Sequence, residues 1–155
     1  MKVIVAEDDI MLADYLADAL ADLGHEVSGV ACDVKGAVAL ARAHRPGVAI
    51  LDMHLGRGEL GTEIADRLSA SNDLDGIGIL YVIGEAERVV RVAQFGHACL
   101  HKPYSIATLQ RALTIVNDMV HGIVPPPTLP PGMLLLALNP AATIAGAVFA
   151  ANPPC

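Results

Sequence analysis

An α/β domain, with a parallel sheet covered by helices on both faces, is predicted from three observations. Short apolar runs rich in β-branched residues recur through residues 1–121. Each is followed by a segment whose apolar residues recur at helical spacing. Five such strand–helix units fit into this stretch, and strands joined by helical crossovers pair in parallel. The crossovers are expected to be right-handed. In such a sheet the functional crevice lies at the carboxyl ends of the strands.

The elements follow in order. Residues 2–6 form the first apolar strand. Residues 10–23 read as a helix with Leu12, Leu16, Ala19, Leu20 and Leu23 on one face and Asp14, Asp18 and Asp22 on the solvated one. Asp9 stands at its N-cap and Gly24 at its stop. Residues 26–31 are a second strand. Residues 33–44 are a second helix, capped by Asp33 and ended before Pro46. Residues 48–51 form a fully apolar third strand, residues 59–70 a third helix and residues 77–83 a fourth, wholly apolar strand. A short fourth helix is predicted over 85–95 and a fifth strand over 98–101. Residues 105–120 are the clearest helix, with Ile106, Leu109, Leu113, Val116 and Val120 along one stripe.

Composition narrows the function. At 54% hydrophobic and 17% charged residues, the 155-residue chain is globular. A net charge of -7 without a basic patch argues against a nucleic-acid surface. The start, Met1-Lys2-Val3, lacks the shape of a signal peptide. Three cysteines, Cys32, Cys99 and Cys155, form no even framework. Free thiols in a reducing cytoplasm are expected, with Cys32 and Cys99 as small core residues.

Three charged pieces end apolar strands: Glu7-Asp8 after Val3-Ile4-Val5-Ala6, Asp52 after Val48-Ala49-Ile50-Leu51, and Lys102-Pro103 after Ala98-Cys99-Leu100-His101. Taken singly, each has an ordinary reading as a turn or a helix cap. Taken together, neighbouring parallel strands bring three carboxylates and one ammonium to one sheet edge. Mg²⁺ prefers oxygen ligands and keeps several waters. Asp8 and Asp52 can supply two carboxylates, and the backbone carbonyl of His54 a third ligand. Asp52 can attack phosphorus to form an acyl phosphate. The metal would offset charge repulsion, and Lys102 would stabilise the equatorial oxygens.

These pieces resemble the receiver domain of two-component response regulators. The matching stretches are Val5-Ala6-Glu7-Asp8-Asp9, Ile50-Leu51-Asp52-Met53-His54-Leu55, Tyr81-Val82-Ile83-Gly84 and Leu100-His101-Lys102-Pro103-Tyr104, and the 44-residue gap from Asp8 to Asp52 also fits. The resemblance implies a flavodoxin-like doubly wound, five-stranded parallel sheet of order 2-1-3-4-5. It implies Asp52 as phosphoacceptor, Asp8 with Glu7 as the acidic pair (Glu7 acting through water), Lys102 as the conserved-type lysine, and a cis bond before Pro103. It implies a phosphorelay protein rather than an enzyme, one that assists only its own aspartyl phosphorylation and dephosphorylation. A sensor histidine kinase or phosphotransfer protein would supply the phosphate, and output would pass to an unidentified downstream protein.

Two positions depart from the family pattern. A Thr or Ser usually ends strand four, where Ile83 stands here, and a Tyr or Phe usually lies three residues before the lysine, where Cys99 stands. The stretch from Ile83 to Lys102 is about three residues short, which predicts a clipped fourth helix. Phosphorylation is therefore expected to drive a weaker shift than usual. An alternative is a phosphorylation-independent, receiver-like interaction module. A cofactor binder of the same fold is disfavoured, because Glu7-Asp8-Asp9 would repel a phosphate lacking a metal. None of the six histidines (His25, His44, His54, His97, His101, His121) lies in a helical phosphotransfer motif.

Residues 1–121 are expected to be the receiver domain and 122–155 a Pro-rich linker with an apolar extension. The latter stretch has no charged side chain and eight of the ten prolines. Pro125-Pro126-Pro127 and Pro130-Pro131 predict a stiff tether. Residues 133–138 could add a strand at a sheet edge, and a helix is predicted from about residue 140. Asn139-Pro140 interrupts the apolar run, and the lack of a basic flank also argues against membrane insertion. A homodimer could form through this extension, or through the face built by the predicted fourth helix, the fifth strand and the last helix.

Overall fold

A computed structural model describes residues 1–73, 75–84 and 95–136. Its strands are β1 (Lys2–Ala6), β2 (Glu26–Ala31), β3 (Val48–Asp52), β4 (Gly78–Ile83), β5 (Ala98–His101) and β6 (Met133–Leu135). They form one sheet in the order β2-β1-β3-β4-β5-β6. The first five are parallel and in the expected order. A sixth strand, β6, joins at the sheet edge within the residues 133–138 read as able to add one, returning antiparallel along β5 with Cys99 opposite Leu134. The predicted helix over 85–95 and the segment from residue 137 onward lie outside the described residues.

Alternation along the strands divides the core in two. Val3, Val5, Val48, Ile50, Leu80 and Val82 share one cluster with Leu16 and Leu20 of α1 (Ile10–Asp22) and Leu109, Leu113 and Val116 of α4 (Ile106–Val120). Ile4, Ala49, Leu51, Ile79, Tyr81 and Ile83 share the other with α2 (Val34–His44) and α3 (Gly61–Ala70). Burying one such side chain contributes about 1.5–3 kcal/mol, so the two layers dominate the fold. Among the described residues, no helix is long and apolar enough to cross a membrane.

The helix ends follow the capping residues. Asp9 accepts from the amides of Met11 and Leu12, and Ser105 from that of Thr108. At α2, Asp33 accepts from Gly36 at 2.7 Å, and Glu59 accepts from Val34 at 2.8 Å. Glu59 was expected inside a helix. Instead it precedes α3, which begins at Gly61, and caps a different helix 25 residues upstream. Cys32 is exposed just past β2, contrary to the expected core placement, whereas Cys99 is buried.

His97 joins three strands. Its Nδ1 accepts the Ile79 amide at 3.0 Å, and its own amide donates to the Ile79 carbonyl at 3.0 Å. Its carbonyl accepts the Leu136 amide at 2.9 Å. Burial lowers the His97 pKa below its ordinary 6.5. The unfolded chain therefore takes up the proton first as pH falls, and the stability due to neutral His97 is complete above about pH 6.5 and declines below it. His97→Leu leaves the Ile79 amide without its ring partner and should cost about 1–3 kcal/mol near pH 8. In denaturant unfolding, that deficit should narrow between pH 6.5 and 5, because only the wild type loses stability to this proton.

Candidate functional site

Parallel pairing brings the ends of β1, β3 and β5 to one edge of the sheet. β1 delivers Glu7, whose amide donates to the Ala31 carbonyl at 2.9 Å. Glu7 is buried at 5% exposure, which is costly for a carboxylate unless it is paired. One of its oxygens accepts the Asp9 amide at 3.1 Å, and the other lies 3.6 Å from Lys102 Nζ. Asp8 is exposed, and a Cβ added at Gly56 would lie 3.5 Å from its Oδ2. The acid thus faces the loop that follows β3.

Asp52 ends β3. Its Oδ2 takes a hydrogen bond from Lys102 Nζ, and its Oδ1 accepts the His54 amide at 3.0 Å. The loop around it is held by Met53 N–H to the Val82 carbonyl, Gly61 N–H to the Met53 carbonyl and Leu55 N–H to the Glu59 carbonyl. A Cβ at Gly61 would lie 2.2 Å from the Asp52 carbonyl oxygen, so only glycine permits this approach. The sequence marks Gly61 merely as a poor helix former; its role depends on a contact nine residues away.

The Lys102–Pro103 bond is cis. The Lys102 amide donates to the Ile83 carbonyl at 2.8 Å, which fixes the backbone beside β4. One ammonium thus serves two carboxylates. Burial first, then the hydrogen bond with Asp52, pushes the Glu7 carboxyl up to about 7. For Lys102, burial disfavours the charge, but Asp52 and then Glu7 outweigh it and raise the pKa. Tyr104, two residues after Lys102, also senses the site: burial, then Glu7 and Asp52, pushes its phenol up to about 12. The cluster is short of positive charge. Among the described residues, no three His, Cys, Asp or Glu side chains gather closely enough to hold a metal ion by themselves. Asp8, Asp52 and the Asp52–His54 loop nevertheless form an oxygen-rich edge, with the Asp52 carboxylate held by an ammonium.

Ile83 and Cys99 belong to the α2–α3 core, both essentially unexposed. Cys99 lies opposite Tyr81, whose hydroxyl donates to the Phe95 carbonyl at 2.6 Å. The aromatic bulk of this layer therefore sits on β4 at Tyr81, a residue to which the sequence assigned no role.

Comparisons with known proteins agree with this fold. The family model described as the response regulator receiver domain matches residues 3–114. The transcriptional regulatory protein PdtaR of Mycobacterium tuberculosis (strain CDC 1551 / Oshkosh) is 33% identical over 115 residues, covering 74% of this chain and 55% of that protein. The chain thus spans about half the length of the curated relatives it matches. The signal receiver domain of a modulated diguanylate cyclase from Desulfovibrio desulfuricans G20 superposes with a TM-score of 0.64 at 30% identity, covering 77% of this chain and 95% of that one. A CheY-like receiver domain protein from Methanospirillum hungatei JF-1 gives a TM-score of 0.68 at 18% identity over 78% and 97% of the two chains, a likeness of fold alone.

Gly61→Ala forces the backbone off the Asp52 carbonyl and should cost about 1–3 kcal/mol of stability, as overpacking does. The His54 amide resonance should move with it, since that amide bonds the Asp52 carboxylate. Denaturant unfolding and amide NMR spectra check both outcomes.

Proposed function

We propose that this chain, which belongs to the response regulator receiver domain family, accepts a phosphoryl group on Asp52 in a Mg²⁺-dependent reaction. The observation that carries the reading is the Asp52 carboxylate at a strand end, bonded by Lys102 and anchored by the His54 amide. The donor set fits magnesium: Asp8, Asp52 and the His54 carbonyl are all oxygen ligands, with Glu7 acting through water. When bound, the ion would neutralise charge between the carboxylates and the incoming phosphoryl group.

The chain's own residues account for the rest. An Asp52 oxygen attacks phosphorus and a new P–O bond forms. From a phosphohistidine donor the P–N bond breaks, and the imidazole nitrogen keeps the electron pair. From acetyl phosphate a P–O bond breaks and acetate leaves. Lys102 follows the developing charge on the equatorial oxygens, and its backbone bond to Ile83 keeps it within reach. A sensor histidine kinase or phosphotransfer protein is the expected donor, and output passes by protein–protein contact.

A second reading, a phosphorylation-independent interaction module, is favoured by the burial of Ile83 and Cys99 in an apolar layer that offers no hydroxyl at either position. The two readings separate in one experiment. With Mg²⁺ and acetyl phosphate, intact-mass analysis should show one phosphate on the wild type and none on Asp52→Asn. Lys102→Ala should slow the reaction on the order of 10²-fold, the usual cost of losing one charge-stabilising donor. Absence of an Asp52-dependent adduct, with both acetyl phosphate and a cognate kinase, would leave the interaction module. A phosphate mimic should produce only small amide shifts at Ile83 and Cys99; large shifts there would contradict the weak relay.

A further inference from the structure

Strand β5 is only four residues long, and Lys102 follows it directly. Without β6 it would be the edge of the sheet, with its outer backbone groups unpaired. The ends of such a strand open easily. The returning segment of the same chain covers that side. Leu129 and Met133 pack on the α1–α4 layer, Pro130 is buried, and Leu136 enters the α2–α3 layer. A Cβ at Gly96 would lie 3.1 Å from Leu136 Cδ1 and 2.5 Å from the Tyr81 ring, so glycine leaves the room that Leu136 takes. Residues 129–136 thus grip both faces of the sheet beside β5.

The grip ends at the charged edge. The His101 amide donates outward to the Gly132 carbonyl at 2.9 Å, and the next amide, that of Lys102, donates inward to the Ile83 carbonyl at 2.8 Å. The backbone that carries the ammonium is therefore held from both sides, by β4 and by the returning segment. Asp8 and Asp52 stand at the ends of β1 and β3, on the far side of β4 in the sheet order. The segment therefore bears on the ammonium rather than on the carboxylates.

We propose that Gly132 and Leu136 are positioning residues for phosphorylation of Asp52: the seated segment fixes the backbone at His101 and so holds Lys102 where the phosphoryl oxygens arrive. The inference rests on the reading of Asp52 as phosphoacceptor. A displacement of about 1 Å in a catalytic group can cost on the order of 10²-fold in rate, and the loss here is bounded by what Lys102 itself contributes.

The test uses the full chain. Leu136→Asp puts a carboxylate into an apolar seat and should release the segment. It should slow Asp52 phosphorylation by acetyl phosphate about tenfold. Val124→Asp, which adds the same charge at a position 68% exposed, should keep the wild-type rate, and Leu136→Met, which conserves volume, should restore it. In a Lys102→Ala background, Leu136→Asp should slow the reaction no further, because the group it positions is gone. Equal slowing in both backgrounds would overturn the proposal. Amide hydrogen exchange decides the same point without phosphate: Leu136→Asp should strip protection from both His101 and Lys102 while the Met53 amide, bonded to the Val82 carbonyl, keeps its own. A Lys102 amide still protected beside a deprotected His101 would refute the positioning role. If the wild type takes no phosphate on Asp52, the phosphoacceptor reading fails, and the exchange result alone decides whether the segment holds Lys102. Should Leu136→Asp not fold, Leu136→Ala carries the same tests with a smaller loss.

Discussion

The Lys102 ammonium faces Asp52 and Glu7 at once, and the remainder of the site is arranged around that imbalance. Two carboxylates at the edge of an apolar sheet cannot both be ionised cheaply beside a single cation. Glu7 yields, since burial and its neighbour Asp52 push it upward, while Lys102 is held charged by the same neighbours. The sheet imposes the meeting. β1 and β3 are adjacent, β4 separates β3 from β5, and only the length of the lysine side chain closes the last interval. A shorter cation at position 102 would not span β4.

Much of this was legible because it depends on local pattern. The apolar runs, the Asp9 and Asp33 caps and the strand-end charges are all readable within a few residues, and the first five strands take the expected order. What escaped depends on contacts distant in sequence. Glu59 looked helical but serves the Val34 amide. Gly61 looked incidental but admits the Asp52 carbonyl. Cys32 looked like core, but it falls just beyond the last paired residue of β2 and is exposed. The apolar character of residues 133–136 was plain, whereas their seat required the space left by Gly96.

Chemistry and packing are unevenly distributed along the same strands. The ends of β1, β3 and β5 carry the polar work, while the interiors of β4 and β5 are an apolar solid in which Tyr81 supplies the bulk and Cys99 the small complement. Close-packed interiors resist small rearrangements. His101 lies where the two regimes meet: its amide is bonded to Gly132 in the returning segment, and the next residue is Lys102.

The Glu59–Val34 hydrogen bond gives the segment after Asp52 a distant handle. Leu55 donates to the Glu59 carbonyl while the Glu59 carboxylate caps α2, so loosening this segment withdraws a partner from the first turn of a helix on another part of the surface. The solvent-exchange rate of the Val34 amide is thereby coupled to opening of the loop. A single backbone proton, remote from the charged edge, can serve as a native clock for its motion without any label placed in the site.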